Sequence, residues 1–129
     1  MNYNTNQSIF IQIADRICDR ILCGEYLEEA RIPSVREMAV EMEVNPNTVM
    51  RTYERLQSNQ IIYNKRGIGY FISPNAETEI RRMRHNQFME DVLPSVFKEM
   101  HLLEVSIDEL ANAYKQYSFT TDTMSHEKK

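Results

Sequence analysis

The stretch Val44–Leu56, VNPNTVMRTYERL, decides the fold. Asn45 followed by Pro46 is a helix start signal. An asparagine at the N-cap accepts a hydrogen bond from an otherwise unpaired amide, and proline at the first helical position gives up no bond. Behind this start, Val49, Thr52, Tyr53 and Leu56 recur at i, i+3, i+4 and i+7 and form one buried stripe. Asn47, Met50, Arg51, Glu54 and Arg55 are left on the other face for solvent or a partner. Upstream, PSVREMAVEME (Pro33–Glu43) carries a cap of its own. Ser34 and Glu37 make an S-x-x-E capping box, and Val35, Met38, Ala39 and Met42 give that helix its apolar stripe. Two short capped helices meeting around Glu43 and Val44 have the spacing of a helix-turn-helix.

Working outward, IIYNKRGIGYFIS predicts a β-hairpin, with Ile61–Tyr63 as one strand and Gly69–Ser73 as the other. The turn is expected at Asn64-Lys65-Arg66-Gly67. Two strands alone are marginally stable, so the hairpin must lean on the helices. Lys65 and Arg66 alone would read as solvated charges. Beside a helix-turn-helix they read as the basic tip of a wing, and the unit becomes a nucleic-acid-binding winged helix. The fold class expected is mainly α with a small β-hairpin, a winged helix-turn-helix followed by a short helical dimerisation region.

Towards the N-terminus, residues 1–7 form a polar lead-in. Phe10, Ile13, Ala14, Ile17, Cys18 and Ile21 then predict a supporting helix from Ser8 to about Cys23, ended by Gly24. Asp15, Arg16, Asp19 and Arg20 are expected on its solvated face. Towards the C-terminus, Ser73-Pro74-Asn75 marks a boundary, and a helix begins at Ala76, with an interruption expected at Pro94. Ser106 and Glu109 repeat the capping box ahead of a last helix, and the tail from Thr120 is polar and expected to fray. The organisation expected is a winged helix over 1–74, a helical dimerisation region over 75–119 and a polar tail over 120–129. The dimerisation region holds more apolar residues than about fifty residues bury alone. Ile80, Met83, Phe88, Val92, Phe97, Leu110 and Tyr114 are therefore assigned to a contact with a second chain, an isologous two-fold arrangement being commonest.

The 129 residues suit one small domain with an appendage, and the net charge of −4 does not announce a nucleic-acid binder. The local balance differs. From Arg31 to Arg66, six basic residues against four acidic leave a surplus of +2, and affinity depends on the face presented to phosphates. Cys18 and Cys23 form neither a C-x-x-C pair nor a disulfide framework, which fits a reducing compartment. No signal-peptide core or membrane-spanning stretch is visible, so a cytoplasmic location without membrane contact is expected. His85, His101 and His126 lack ligand spacing, and no metal or cofactor is expected. No nucleophile–base or paired-carboxylate arrangement points to an enzyme. Arg81, Arg82, Arg84 and His85 form a basic run read as a solvated face, with an extra phosphate contact as the alternative.

The segment Phe10–Ser73 resembles the DNA-binding domain of the GntR family of bacterial transcription regulators. The resemblance rests on Gly24-Glu25-Tyr26, on IPSVREMA (Ile32–Ala39), on the recognition helix VNPNTVMRTYERL and on the wing RGIGYF, in order and at family spacing. The Asn-Pro-Asn-Thr form and the short C-terminal part resemble the YtrA-like branch. Glu29 and Gln60 stand where that pattern usually has glycine, and Met50 where it often has arginine. The resemblance implies a dimeric repressor of a transporter-linked operon, bound to a palindromic double-stranded operator, with an effector of unknown identity. Ser34, Arg36, Asn45, Asn47, Thr48, Met50, Arg51, Lys65, Arg66 and Gly67 are the expected DNA contacts. Asn47 would read adenine, Met50 would press on a thymine methyl, and the wing would approach the minor groove or backbone. The rival expectation is a winged helix used for protein–protein contact, without operator binding.

Overall fold

The sequence places a cap ahead of nearly every helix, and the computed structural model, which describes the backbone of residues 8–128 and the side chains of residues 8–117, follows those caps. Ser8 precedes α1 (Ile9–Leu22). Ser34 caps α2 (Val35–Met42) with both arms of the box formed: the Glu37 amide donates to Ser34 Oγ at 3.1 Å and the Ser34 amide to Glu37 Oε1 at 2.8 Å. Asn45 caps α3 (Pro46–Ser58), its Oδ1 accepting the Asn47 amide at 2.8 Å. Strands β1 (Ile62–Lys65) and β2 (Gly69–Ile72) follow, then α4 (Ala76–Gln87), a π turn at Phe88–Val92, α5 (Leu93–Leu103) and α6 (Ile107–Lys128). The last helix continues through the stretch expected to fray, which contains neither glycine nor proline. The lead-in over residues 1–7 lies outside the described residues.

The chain forms two units, the first ending at His85 and the second beginning at Asn86. In the first, the α1 stripe (Ile13, Ile17, Cys18, Ile21) meets Met38 of α2 and Val49, Tyr53 and Leu56 of α3 in one core closed by the sheet residues Ile62 and Ile72. The Thr52 hydroxyl is buried and reaches the carbonyls of Phe10 at 2.9 Å and Thr48 at 3.0 Å, so no polar group is orphaned where α3 crosses α1. Tyr53 packs edge-on against Tyr70 and donates its hydroxyl to the Pro33 carbonyl at 2.6 Å, which fixes the approach to α2.

Three of these details differ from the sequence expectation. The unit runs past Pro74: Ala76 and Ile80 of α4 are fully buried in its core and Met83 packs against them. Ile80 is therefore spent in this core rather than open to the dimer contact assigned to it, while Met83 is half-buried against the same core. Second, β1 pairs with β2 as far as Lys65 opposite Gly69, so Asn64 and Lys65 belong to the strand and the turn is Arg66-Gly67-Ile68. Residues 29–32 run along β2 through an isolated antiparallel bridge between Arg31 and Phe71: the Glu29 and Ile32 amides donate to the Ile72 and Tyr70 carbonyls, and the Ile72 amide to the Ala30 carbonyl. Third, Arg20 is not merely solvated. It reaches Glu41 at 2.6 Å and the Tyr26 hydroxyl at 2.7 Å, tying the end of α1 to α2.

Helix ends share one device. At the ends of α1, α2, α3 and α5, paired 6→1 and 5→2 amide bonds make Schellman motifs, for example Ile61 to Leu56 at 2.9 Å with Gln60 to Gln57 at 3.0 Å. Each needs a left-handed residue. Gly24 supplies it after α1, but Glu43, Gln60 and Glu104 supply it elsewhere, with φ of 57°, 63° and 57°. Glu29 is left-handed as well, at φ 66°, and its carboxylate accepts the Tyr63 hydroxyl at 2.8 Å.

In the second unit the Leu93 amide bonds to Phe88 O, one residue further back than in an α-helix. This widened turn sits directly before Pro94, whose ring would clash with the carbonyl four residues back in a regular helix. Among the described residues of this unit only Met100 is buried. No described helix is long and apolar enough to cross a membrane.

Candidate nucleic-acid interface

The exposed side of α3 is built by subtraction. Val49, Thr52, Tyr53 and Leu56 are drawn into the core, and a helix that buries those positions turns Asn47, Met50, Arg51 and Glu54 outward. All four are exposed, Met50 at 41 %. An open methionine beside an asparagine and an arginine offers both apolar and hydrogen-bonding contact to base edges. Thr48 is half-buried and its carbonyl is engaged by Thr52, which leaves its hydroxyl for a partner. Asn45 is already committed through Oδ1 to the cap, so only its amide nitrogen can serve DNA. Ser34 is committed in the same way: its Oγ accepts the Glu37 amide in the capping box. The Ser34 amide and hydroxyl hold the Glu37 carboxyl below the usual glutamate range.

Arg36 lies exposed in the first turn of α2 and, like Arg66 in the wing turn, has no carboxylate or hydrogen-bond partner among the described residues. This contrasts with the basic run of α4. There Arg81 pairs with Glu77 at 3.2 Å, Arg82 with Glu79, and Arg84 with Asp19 at 3.0 Å. The run is a set of internal ion pairs, and a phosphate would have to break them. At Arg36 and Arg66 it would not.

The wing turn is closed by the Ile68 amide donating to Lys65 O at 2.8 Å, with Gly67 at φ 78°, a value that suits the third position of a type II turn. Lys65 stands on β1 with its ammonium 4.8 Å from the centre of the Phe71 ring, and Phe71 stacks on Tyr63 at 5.7 Å. Sequence reasoning passed over two residues here. Ile68 is 56 % exposed at the tip, a large apolar group two residues after the basic pair. Arg31, bridged to Phe71 of β2, has its guanidinium against Gly69, where an added Cβ would come within 2.9 Å of Nε. The Gly69 φ of 143° and this close approach together account for glycine at that position. The signal for Arg31 was the basic count across 31–66; its place beside the wing depends on the non-local bridge to β2.

All ten expected DNA contacts lie in the first unit. Of those assigned to dimerisation, Phe88, Phe97 and Tyr114 are exposed at 44 %, 49 % and 68 %, while Val92 and Leu110 are half-buried. Among the described residues no cluster of histidine, cysteine, aspartate and glutamate is arranged to hold a metal.

Comparison with known proteins bears on this surface. The sequence model for bacterial regulatory proteins of the gntR family matches residues 11–72, from the first turn of α1 to the end of the wing. The chain is 34% identical over 116 residues to the HTH-type transcriptional regulator YhcF of Bacillus subtilis, covering 90% of this chain and 94% of that one. It is 32% identical over 110 residues to the HTH-type transcriptional repressor YtrA of the same organism, covering 85% and 84%. A crystal structure of a GntR-family protein from Bacteroides thetaiotaomicron matches with a TM-score of 0.78 and 49% identity, over 88% of this chain and 99% of that one.

Proposed function

Since the chain belongs to the GntR family of bacterial regulatory proteins and is a DNA-binding transcription regulator, we propose that two copies bind a palindromic operator and repress the genes behind it. The observation that carries the reading is the contrast among arginines. Those of α4 pair with carboxylates within the chain, whereas Arg36 on α2, Arg51 on α3 and Arg66 in the wing have no carboxylate partner among the described residues. Phosphates would provide one, with release of condensed counterions and no internal bridge to break. The first turns of α3 enter the major groove, Asn47 and Met50 read bases, and Arg36 and the wing set the register.

The second copy is argued from the second unit. Phe88, Phe97 and Tyr114 are exposed, as are Leu102 and Leu103, and none of the described residues of that unit covers them. Burying such side chains contributes roughly 25 cal/mol per Å² of apolar surface, and a two-fold contact buries each patch twice. A dimer spaces two recognition helices roughly 34–36 Å apart, one turn of DNA. Repression agrees with the role of the relative YtrA, a transcriptional repressor. Selection of bound duplexes from random-sequence DNA, with sedimentation of the free protein, tests the reading. It expects a two-fold symmetric consensus and a dimer at micromolar concentration; an asymmetric or absent consensus, or a monomer, contradicts it.

A further inference from the structure

Arg51 is exposed on α3, but it is not loose. Its guanidinium carbon lies 4.2 Å from the centre of the Phe10 ring, in the first turn of α1. The same residue holds α3 a second way, because the Phe10 carbonyl accepts the Thr52 hydroxyl at 2.9 Å. Adjacent α3 residues are thus gripped by one α1 residue, Thr52 through its backbone and Arg51 through its ring. Phe10 itself is half-buried, at the rim of the α1 stripe rather than in the core cluster.

From this geometry we infer that Phe10 is a positioning residue for DNA recognition: its ring stacks the Arg51 guanidinium and presents that group to the operator. The inference rests on the operator-binding reading above. An aromatic face attracts a cation through its negative quadrupole. The five N–H donors of a guanidinium point outward in its own plane, so a ring on one face leaves them available for a phosphate or for guanine O6 and N7. A long arginine in solvent must lose its rotamer freedom when it binds DNA. One already stacked has lost much of it before the encounter. Phe10 therefore raises affinity without touching DNA, and links the supporting helix to recognition.

The test uses the full-length chain and the consensus duplex that it selects from random DNA, with a scrambled duplex of the same composition as reference. Phe10→Leu keeps apolar bulk and removes the aromatic face; it is expected to weaken consensus binding roughly fivefold, the scale of a half-exposed cation–π contact. Phe10→Tyr, which keeps the face, is expected to bind like wild type. In an Arg51→Ala background Phe10→Leu should have no further effect, whereas a merely structural role would lower affinity in both backgrounds. Should Phe10→Leu fail to fold, pentafluorophenylalanine at position 10 replaces it, matching the ring in shape with the face potential reversed, and the same loss is expected. Equal losses with and without Arg51, or full affinity for the fluorinated protein, overturn the inference. A wild-type chain that selects no consensus sinks the operator reading instead.

Discussion

Replacing Gln60 by glycine should make the protein more stable, although it removes a side chain and adds no contact. Gln60 closes the Schellman motif after α3 in a left-handed conformation, φ 63°, with its side chain exposed and the flanking Leu56 and Ile61 both buried. A left-handed conformation costs an L-residue about 1–2 kcal/mol. Glycine escapes that but loses about 0.5–1 kcal/mol more backbone entropy on folding. The difference leaves a net gain of about 0.5–1 kcal/mol. For a unit of this size that is roughly 3–6 °C in melting temperature. Asn59 is the control. It sits at φ −90° and its side-chain amide donates to the Arg55 carbonyl at 3.1 Å, so Asn59→Gly should destabilise. Thermal melts and urea titrations of both variants decide the matter. A Gln60→Gly protein no more stable than wild type, or stabilisation by Asn59→Gly instead, would refute the assignment of the left-handed residue and the strain argued from it.

Three further outcomes follow from burial and geometry. Ending the chain after Pro74 should destabilise the winged helix by about 2–5 kcal/mol, the scale of losing a buried isoleucine, because Ile80 is fully buried; ending it after His85 should leave urea stability near that of the intact unit, and equal stability of both truncations would contradict the packing of α4. Cys18 is buried, which pushes its thiol up to about 12, while Cys23 is exposed, so an alkylating reagent at mildly alkaline pH should label Cys23 in the native protein and Cys18 only in denaturant; native labelling of Cys18, read by peptide mapping, would count against the core. Asn47→Ala should relax base preference at one position of each half-site by about 1–3 kcal/mol, and an unchanged selection profile would show that Asn47 faces only backbone or solvent.

The parts of the fold that were legible in the sequence are those fixed by local chemistry. Ser34 with Glu37, and Asn45 with Pro46, announce helix starts within a few residues, and the structure forms the bonds they imply. Exposure of Asn47, Met50 and Arg51 follows from the α3 stripe by elimination. What was misplaced depends on partners outside the segment itself. The wing turn sits beyond Asn64 and Lys65 because these two pair with Tyr70 and Gly69 of β2, and polar residues in a strand look like a turn until their cross-strand partners are seen. Periodicity shows which face of α4 is apolar but not what covers it, so Ile80 was given to a second chain when it is buried in this one. Arg20 reads as solvated from α1 alone; Glu41, which engages it, lies on another helix. The Phe10–Arg51 stack is invisible for the same reason.

The claim that Arg36 and the wing grip DNA is tested most directly by titrating Arg36→Ala and Arg66→Ala proteins against the selected operator over a range of salt concentrations, with melting curves alongside. Neither arginine contributes core volume or an internal bridge among the described residues, so melting should not change. Affinity should fall for both, and for Arg66→Ala the fall should extend across sequences, with the salt slope flatter by about one. Wild-type affinity and slope in both variants, with folding intact, would contradict the account.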